Sequence, residues 1–157
     1  MNIKLYKVRE GAKLPRREYS SDAGVDLFYC PDPSKVTGFF NEKGQCIVPP
    51  KSSVLIPVGI KLEIPKGYMF EIKNKSSIAY KRSCIVGSCI VDAGFNSEIS
   101  VNLHNIGHST QIFEPGEKVA QGVLIPVELC DIVEVIDELE LNKESERGNG
   151  SFGSTGR

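Results

Sequence analysis

Long apolar runs are missing from this chain: no stretch approaches the roughly 20 residues a helix needs to span a bilayer. The N-terminus MNIKLYKVRE does not read as a signal peptide either, so the expected compartment is the cytosol. A charge excess is missing too, with a net charge of −1 from 19 Lys and Arg against 20 Asp and Glu. That balance gives no reason to expect nucleic acid or an anionic membrane as partner, and any bound anion must be held locally. The five cysteines, at positions 30, 46, 84, 89 and 130, are odd in number and form no CxxC pair. Neither a disulfide framework nor a zinc site is expected, and reduced, mostly buried thiols are. Only two histidines occur, His104 and His108. Their i, i+4 spacing suits helical metal ligands, but Gly107 lies between them and the preceding residues alternate as a strand does. A metal site is not expected there. Internal repeats are absent.

What is present is ordinary for one globular domain: 157 residues, 40% hydrophobic and 25% charged. The apolar pattern has period two almost throughout, in SVLIPVGI (53–60), YMFEIK (68–73), CIVGSCIV (84–91), EISVNLH (98–104), VAQGVLIPV (119–127) and DIVEVI (131–136). These runs are short, rich in Val and Ile, and separated by turn residues such as Pro65-Lys66-Gly67, Asn105-Ile106-Gly107 and Glu114-Pro115-Gly116. The pattern predicts an all-β sandwich or barrel of antiparallel strands. Residues 76–80 alone look able to form a short helix, with Ser76 or Ser77 as N-cap. Segment 31–46 carries turn signals at both ends and reads as a surface hairpin capped by Phe39 and Phe40, in preference to a binding site.

The C-terminal stretch is polar and acidic over 137–146, then mostly Gly and Ser over 147–157. It has almost nothing to bury and cannot fold alone. A ten-residue tether reaches roughly 33 Å when extended, far enough to cross to a neighbouring subunit. GNGSFG (148–153) matches GxGxxG, but no strand precedes it and no helix can follow, so the dinucleotide fingerprint fails its context. The same stretch still holds parts for both ends of a nucleotide. Glycines let backbone amides curl around phosphate, Ser154 and Thr155 add hydroxyls, Arg147 is a forked cation, and Phe152 is a flat ring for stacking on a base.

Five ordered motifs then come into register: AGVDL (23–27), NKSSIA (74–79), IVDAGFNSE (90–98), PGEKVAQ (115–121) and RGNGSFGSTG (147–156). In these the chain resembles the trimeric dUTPase family, over nearly its whole length. The resemblance implies a distorted jelly-roll-like β barrel, a homotrimer with shared sites, and a mobile C-terminal arm. It divides the chain into a core over 1–136 and a tether with arm over 137–157. It implies hydrolysis of dUTP to dUMP and pyrophosphate with Mg²⁺, limiting uracil in DNA and supplying dUMP for dTTP synthesis.

Carried over by position, the resemblance implies that Asp92 is the catalytic base for an in-line water and a hydrogen-bond partner of the deoxyribose 3′-hydroxyl. Phe95 would pack beneath the sugar, and backbone groups from about Gly87 to Phe95 would read uracil. Ser76, with Ser77 and Lys75 beside it, and Gln121 would contact the phosphates. Asp26 would hold the Mg²⁺ hydration shell indirectly. Arg147 would grip the γ-phosphate, Phe152 would stack on uracil, and Gly153, Ser154 and Thr155 would close over the phosphates. The chain departs from the family pattern at Lys75 (usually Arg), Phe95 (commonly Tyr), Asn96 and Ser97 (commonly Arg-Gly) and Cys89 (often Gly). Two other readings compete. A dCTP deaminase shares the fold, but needs a Glu where this chain has Asn102, an amide that cannot carry protons. A regulatory protein engaging a partner through 31–46 requires Phe39 and Phe40 to be exposed.

Overall fold

A computed structural model describes residues 1–34 and 39–141. Along them run β1 (Lys4–Lys7), β2 (Val25–Phe28), β3 (Cys46–Val48), β4 (Ser53–Pro57), β5 (Ile60–Glu63), β6 (Tyr68–Lys73), α1 (Ser76–Arg82), β7 (Cys84–Val86), β8 (Ile90–Val91), β9 (Ser100–Asn105), β10 (Gln111–Phe113) and β11 (Lys118–Pro126). The strands form four small antiparallel sheets: β2-β11-β6-β8, β4-β9-β7, β1-β5 and β3-β10. The all-β expectation holds.

Period-two sequence becomes two-faced strand. In β9, Val101, Leu103 and Asn105 are buried while Ser100, Asn102 and His104 lie on the other face. The buried side chains join Leu27, Tyr29, Ile56, Val58, Phe113 and Val119 in one core, each at most 1% exposed. Burying an aliphatic side chain of this size is worth about 1.5–3 kcal/mol, so the core supplies the main drive to fold. Asn105 is the polar member and is fully engaged. Its Nδ2 donates to Val48 O and Ser109 O, and its Oδ1 accepts from Gly107 N, which fixes the turn predicted at 105–107.

Two of the predicted runs divide. SVLIPVGI passes from β4 into β5 through Gly59, whose φ of +73° suits glycine. CIVGSCIV becomes β7, paired with β9, and β8, paired with β6, so residues 87–89 cross between sheets. DIVEVI forms no strand. Ile132 and Ile136 are fully exposed there, at 96% and 101%, because no strand of the described residues lies alongside to complete a ladder. The helix extends beyond the predicted 76–80 to Arg82, and its N-cap is Lys75, with no side-chain cap, instead of Ser76 or Ser77. Phe39 and Phe40 are half-buried and pack against the core, Phe40 with its ring centroid 6.1 Å from that of Tyr29. The exposed pair required by a partner-docking role for 31–46 is therefore not found.

Candidate functional site

Strands β2 and β11 and the start of α1 place the chemistry. Asp26 lies on β2 directly opposite Gln121 of β11, and a register shift between Lys118 and Ala120 leaves Lys118 paired with Phe28, on the same face as Asp26. Lys118 Nζ thereby reaches Asp26 Oδ2 at 2.7 Å, while Lys75 Nζ, at the start of α1, reaches Oδ1 at 2.8 Å. Glu18 holds Lys118 from outside at 3.0 Å. Asp26 is 5% exposed. Burial works to raise its carboxyl, and the Lys118 and Lys75 ammoniums outweigh that, holding it below the usual carboxylate range. The Lys118 ammonium is held above its ordinary value by Asp26 and Glu18 in turn.

Gln121 completes this group. Its Nε2 donates to Asn74 O at 2.9 Å, and its side chain lies so close to Gly24 that a Cβ there would sit 2.5 Å from Oε1. Only glycine at position 24 leaves the amide in place. Ser76 and Ser77 open α1 and are exposed. The motifs at 23–27, 74–79 and 115–121 therefore meet: Gly24 and Asp26, Lys75 and Ser76, Lys118 and Gln121 form one cluster.

Gly87, Asp92 and Phe95 form a second group on the turns flanking β8. Residues 92–97 are all exposed, and Phe95 N donates to Asp92 O at 3.0 Å. Their base is tied down by Glu98, which takes a bidentate pair from Arg9 at 2.7 and 2.5 Å and also accepts from Gly59 N at 2.8 Å. Among the described residues no hydrogen bond or ion pair joins Asp92 or Phe95 to Asp26, Ser76 or Gln121. One residue links the groups indirectly. Asn74 Oδ1 accepts from Val86 N at 2.6 Å, next to Gly87, while its backbone oxygen receives Gln121. Arg147, Phe152, Gly153, Ser154 and Thr155 lie outside the described residues.

Sequence reasoning missed Lys118, Glu18, Asn74, Arg9 and Glu98 as supports. Lys118, Asn74 and Glu98 sit inside the quoted motifs, which was a usable signal; Glu18 and Arg9 sit outside them. The donor set does not fit a resident metal ion. Among the described residues no three His, Cys, Asp or Glu gather to hold one, and each oxygen of Asp26 already carries an ammonium.

Comparison with known proteins bears on the whole chain. The family model described as dUTPase matches residues 10–156. A deoxyuridine 5'-triphosphate nucleotidohydrolase of Clostridium tetani is 35% identical over 157 residues, spanning 99% of this chain and 97% of its own length. One from Chlamydia trachomatis serovar L2 is 37% identical over 152 residues, spanning 96% and 95%. Among solved structures, a mutant dUTPase of Staphylococcus bacteriophage 80alpha with dUpNHpp superposes with a TM-score of 0.84 at 21% identity, covering 99% of both chains. That likeness establishes the fold, and the dUTPase of phage phi11 of S. aureus repeats it with a TM-score of 0.74 at 18% identity, covering 87% of this chain and 97% of its own. With the family model spanning nearly the full length and relatives above 30% identity, the chain belongs to the dUTPase family.

Proposed function

We propose that this chain hydrolyses dUTP to dUMP and pyrophosphate, with Asp92 as general base for a water that attacks the α-phosphorus in line. The observation that carries the reading is the meeting of three separated motifs at Asp26, Lys75 and Gln121, beside the exposed hydroxyls of Ser76 and Ser77. That is a bed of cation, amide and hydroxyl donors of the kind a triphosphate requires. Asp92 is exposed on a turn, where its carboxylate is free to meet a bound water and accept its proton. Phe95, 41% exposed, offers its ring face to the sugar, and backbone groups from Gly87 onward read the base. Tail residues Arg147, Phe152, Gly153, Ser154 and Thr155 grip the γ-phosphate, stack on uracil and close the site, excluding bulk water.

Mg²⁺ enters this reading as part of the substrate, chelated by the triphosphate, where it neutralises charge gathering on the leaving pyrophosphate. Asp26 would hold the hydration shell of that ion only indirectly, through water. One solved relative, the phage phi11 dUTPase, is described with a structural Mg(II) ion.

The working form in this reading is a homotrimer with sites shared between subunits. Two observations support it: among the described residues no hydrogen bond or ion pair joins Asp92 to the phosphate cluster, and Leu129, Ile132, Val133 and Ile136 are left exposed on the stretch after β11. The functional division is a core over 1–136 and a closing arm over 137–157. A cytosolic setting accords with five free cysteines. Among the described residues no helix is long and apolar enough to cross a membrane.

Pyrophosphate release from dUTP, dCTP, dTTP and UTP, with Mg²⁺ and with EDTA, tests the reading. Metal-dependent release from dUTP alone is expected. Ammonia from dCTP with no pyrophosphate from dUTP would instead indicate a deaminase, and silence on all four nucleotides would overturn both.

A further inference from the structure

We propose that Asn102 and His104, on the outward face of β9, are specificity-determining supports of the turn that receives the base. The inference deepens the reading above and rests on the turn from Gly87 being the base site.

The turn over 87–89 is held from behind by these two side chains. Gly87 N donates to the backbone oxygen of Asn102 at 2.9 Å. The side-chain Oδ1 of Asn102 accepts from Ser88 N at 3.3 Å and lies 2.6 Å from His104 Nε2. An amide oxygen only accepts, so in this arrangement Nε2 is the protonated nitrogen of the ring, and one oxygen collects both donors. A Cβ on Gly87 would collide with that same Oδ1 and that same Nε2. The pair therefore fills the space that a side chain at 87 would take, and the glycine and the polar pair require each other. At the far end Cys89 O accepts from Ile72 N at 2.7 Å. The turn is pinned at three consecutive residues, whereas residues 92–97 beyond it are exposed.

This pinning has a chemical consequence. A base read by backbone groups is discriminated only if those groups cannot retreat, because a bulkier base is accommodated as soon as the wall moves by a fraction of an ångström. Asn102 and His104 occupy the direction of retreat. Asn102 also faces Leu55, and His104 faces Ser53, across the β4–β9 ladder, so the pair is backed by a strand of the barrel. A pair that only filled space would affect stability and treat every nucleotide alike. A pair that sets the wall affects the choice between nucleotides.

Steady-state kinetics on the full chain with dUTP and dTTP, for wild type, Asn102→Ala, His104→Ala and Asn102→Asp, separates the two roles. The preference for dUTP over dTTP in kcat/KM is expected to fall about tenfold in Asn102→Ala, the worth of one lost neutral hydrogen bond. The loss should sit in KM, with kcat for dUTP nearly unchanged. His104→Ala should move the preference the same way by less, and Asn102→Asp, which keeps the acceptor, should restore it. An unchanged preference in folded variants, or an equal loss on both nucleotides, overturns the inference. If Asn102→Ala does not fold, His104→Ala and Asn102→Asp still decide it: a wild-type preference in the first, or a lost one in the second, sinks it. Wild type with no preference for dUTP over dTTP would remove the base-site reading itself, and the inference with it.

Discussion

The two halves of the candidate site are built in opposite ways. The phosphate cluster stands on paired strands: Asp26 and Gln121 are cross-strand partners, a register shift aims Lys118, and every charge has a counter-charge. The half assigned to the base stands on turns: residues 87–89 are held by Asn102 and by Ile72, and residues 92–97 are exposed, with the Arg9–Glu98 pair just beyond them. The first half resists change because moving one group unpairs a buried ion. The second half can be altered without unfolding the barrel, since few buried contacts depend on it. In the proposed reading, charge handling is embedded in the fold, while the carboxylate assigned as general base and the turn assigned to the base are mounted on it.

The sharpest way to break that contrast is Asp92→Asn. The substitution should reduce turnover by about 10³-fold, within the usual range for losing a general base, and leave the melting temperature unchanged. A normal rate removes Asp92 from the mechanism. A large drop in melting temperature shows that the turn carries stability after all.

Deleting residues 147–157 comes next. The phosphate cluster is neutral as it stands, Lys75 and Lys118 cancelling Asp26 and Glu18. In our reading Arg147 brings the surplus positive charge, so truncation should reduce kcat/KM by about 10²-fold while the oligomer stays intact by light scattering. An unfolded truncation would make the tail structural.

Asp26→Asn should act on the fold as much as on the rate. It removes the counter-charge from two ammoniums beside a buried position, a change expected to cost about 3 kcal/mol in denaturant unfolding. The carboxyl is depressed in the folded state, so its contribution is present above the unfolded value of about 4 and is lost as pH falls through the lower folded value. Below that point the variant and wild type should converge in stability. If they differ equally at every pH, the clamp is not what Asp26 contributes.

How much of this was legible follows the same division. Period-two runs marked β6, β9 and β11 closely, because buried alternation is written directly into residue choice. Strands β2, β3 and β10, of three or four residues, lie in none of the period-two runs, since so short and isolated a segment carries too little pattern. DIVEVI has the pattern and lacks a partner strand, and a ladder is a property of two segments. Asp26, Lys75 and Gln121 are readable from motifs, yet the reach of Lys118 to Asp26 depends on a register shift that no local spacing encodes. The sequence leaves open whether Phe39 and Phe40, the caps of a surface hairpin, face solvent or core, because an apolar residue in a turn-rich segment does not declare whether the core lies beneath it.

The smallest expected effect falls on the residue that joins the halves. Asn74 makes two contacts with separable atoms: its side chain accepts from Val86 N, and its backbone receives Gln121. Asn74→Ala removes the first and leaves the second, freeing the turn before Gly87 without disturbing the phosphate cluster. One exposed hydrogen bond is worth at most about 1 kcal/mol, so KM for dUTP should rise up to about fivefold with kcat nearly constant. Asn74→Asp keeps the acceptor and should stay close to wild type. Gln121→Ala tests the other contact, and the double variant decides how the halves communicate. Additive free energies mean that Asn74 serves each half independently. A clear departure from additivity would mean that the turn and the cluster move as one body through α1, and the contrast between embedded and mounted halves would no longer hold.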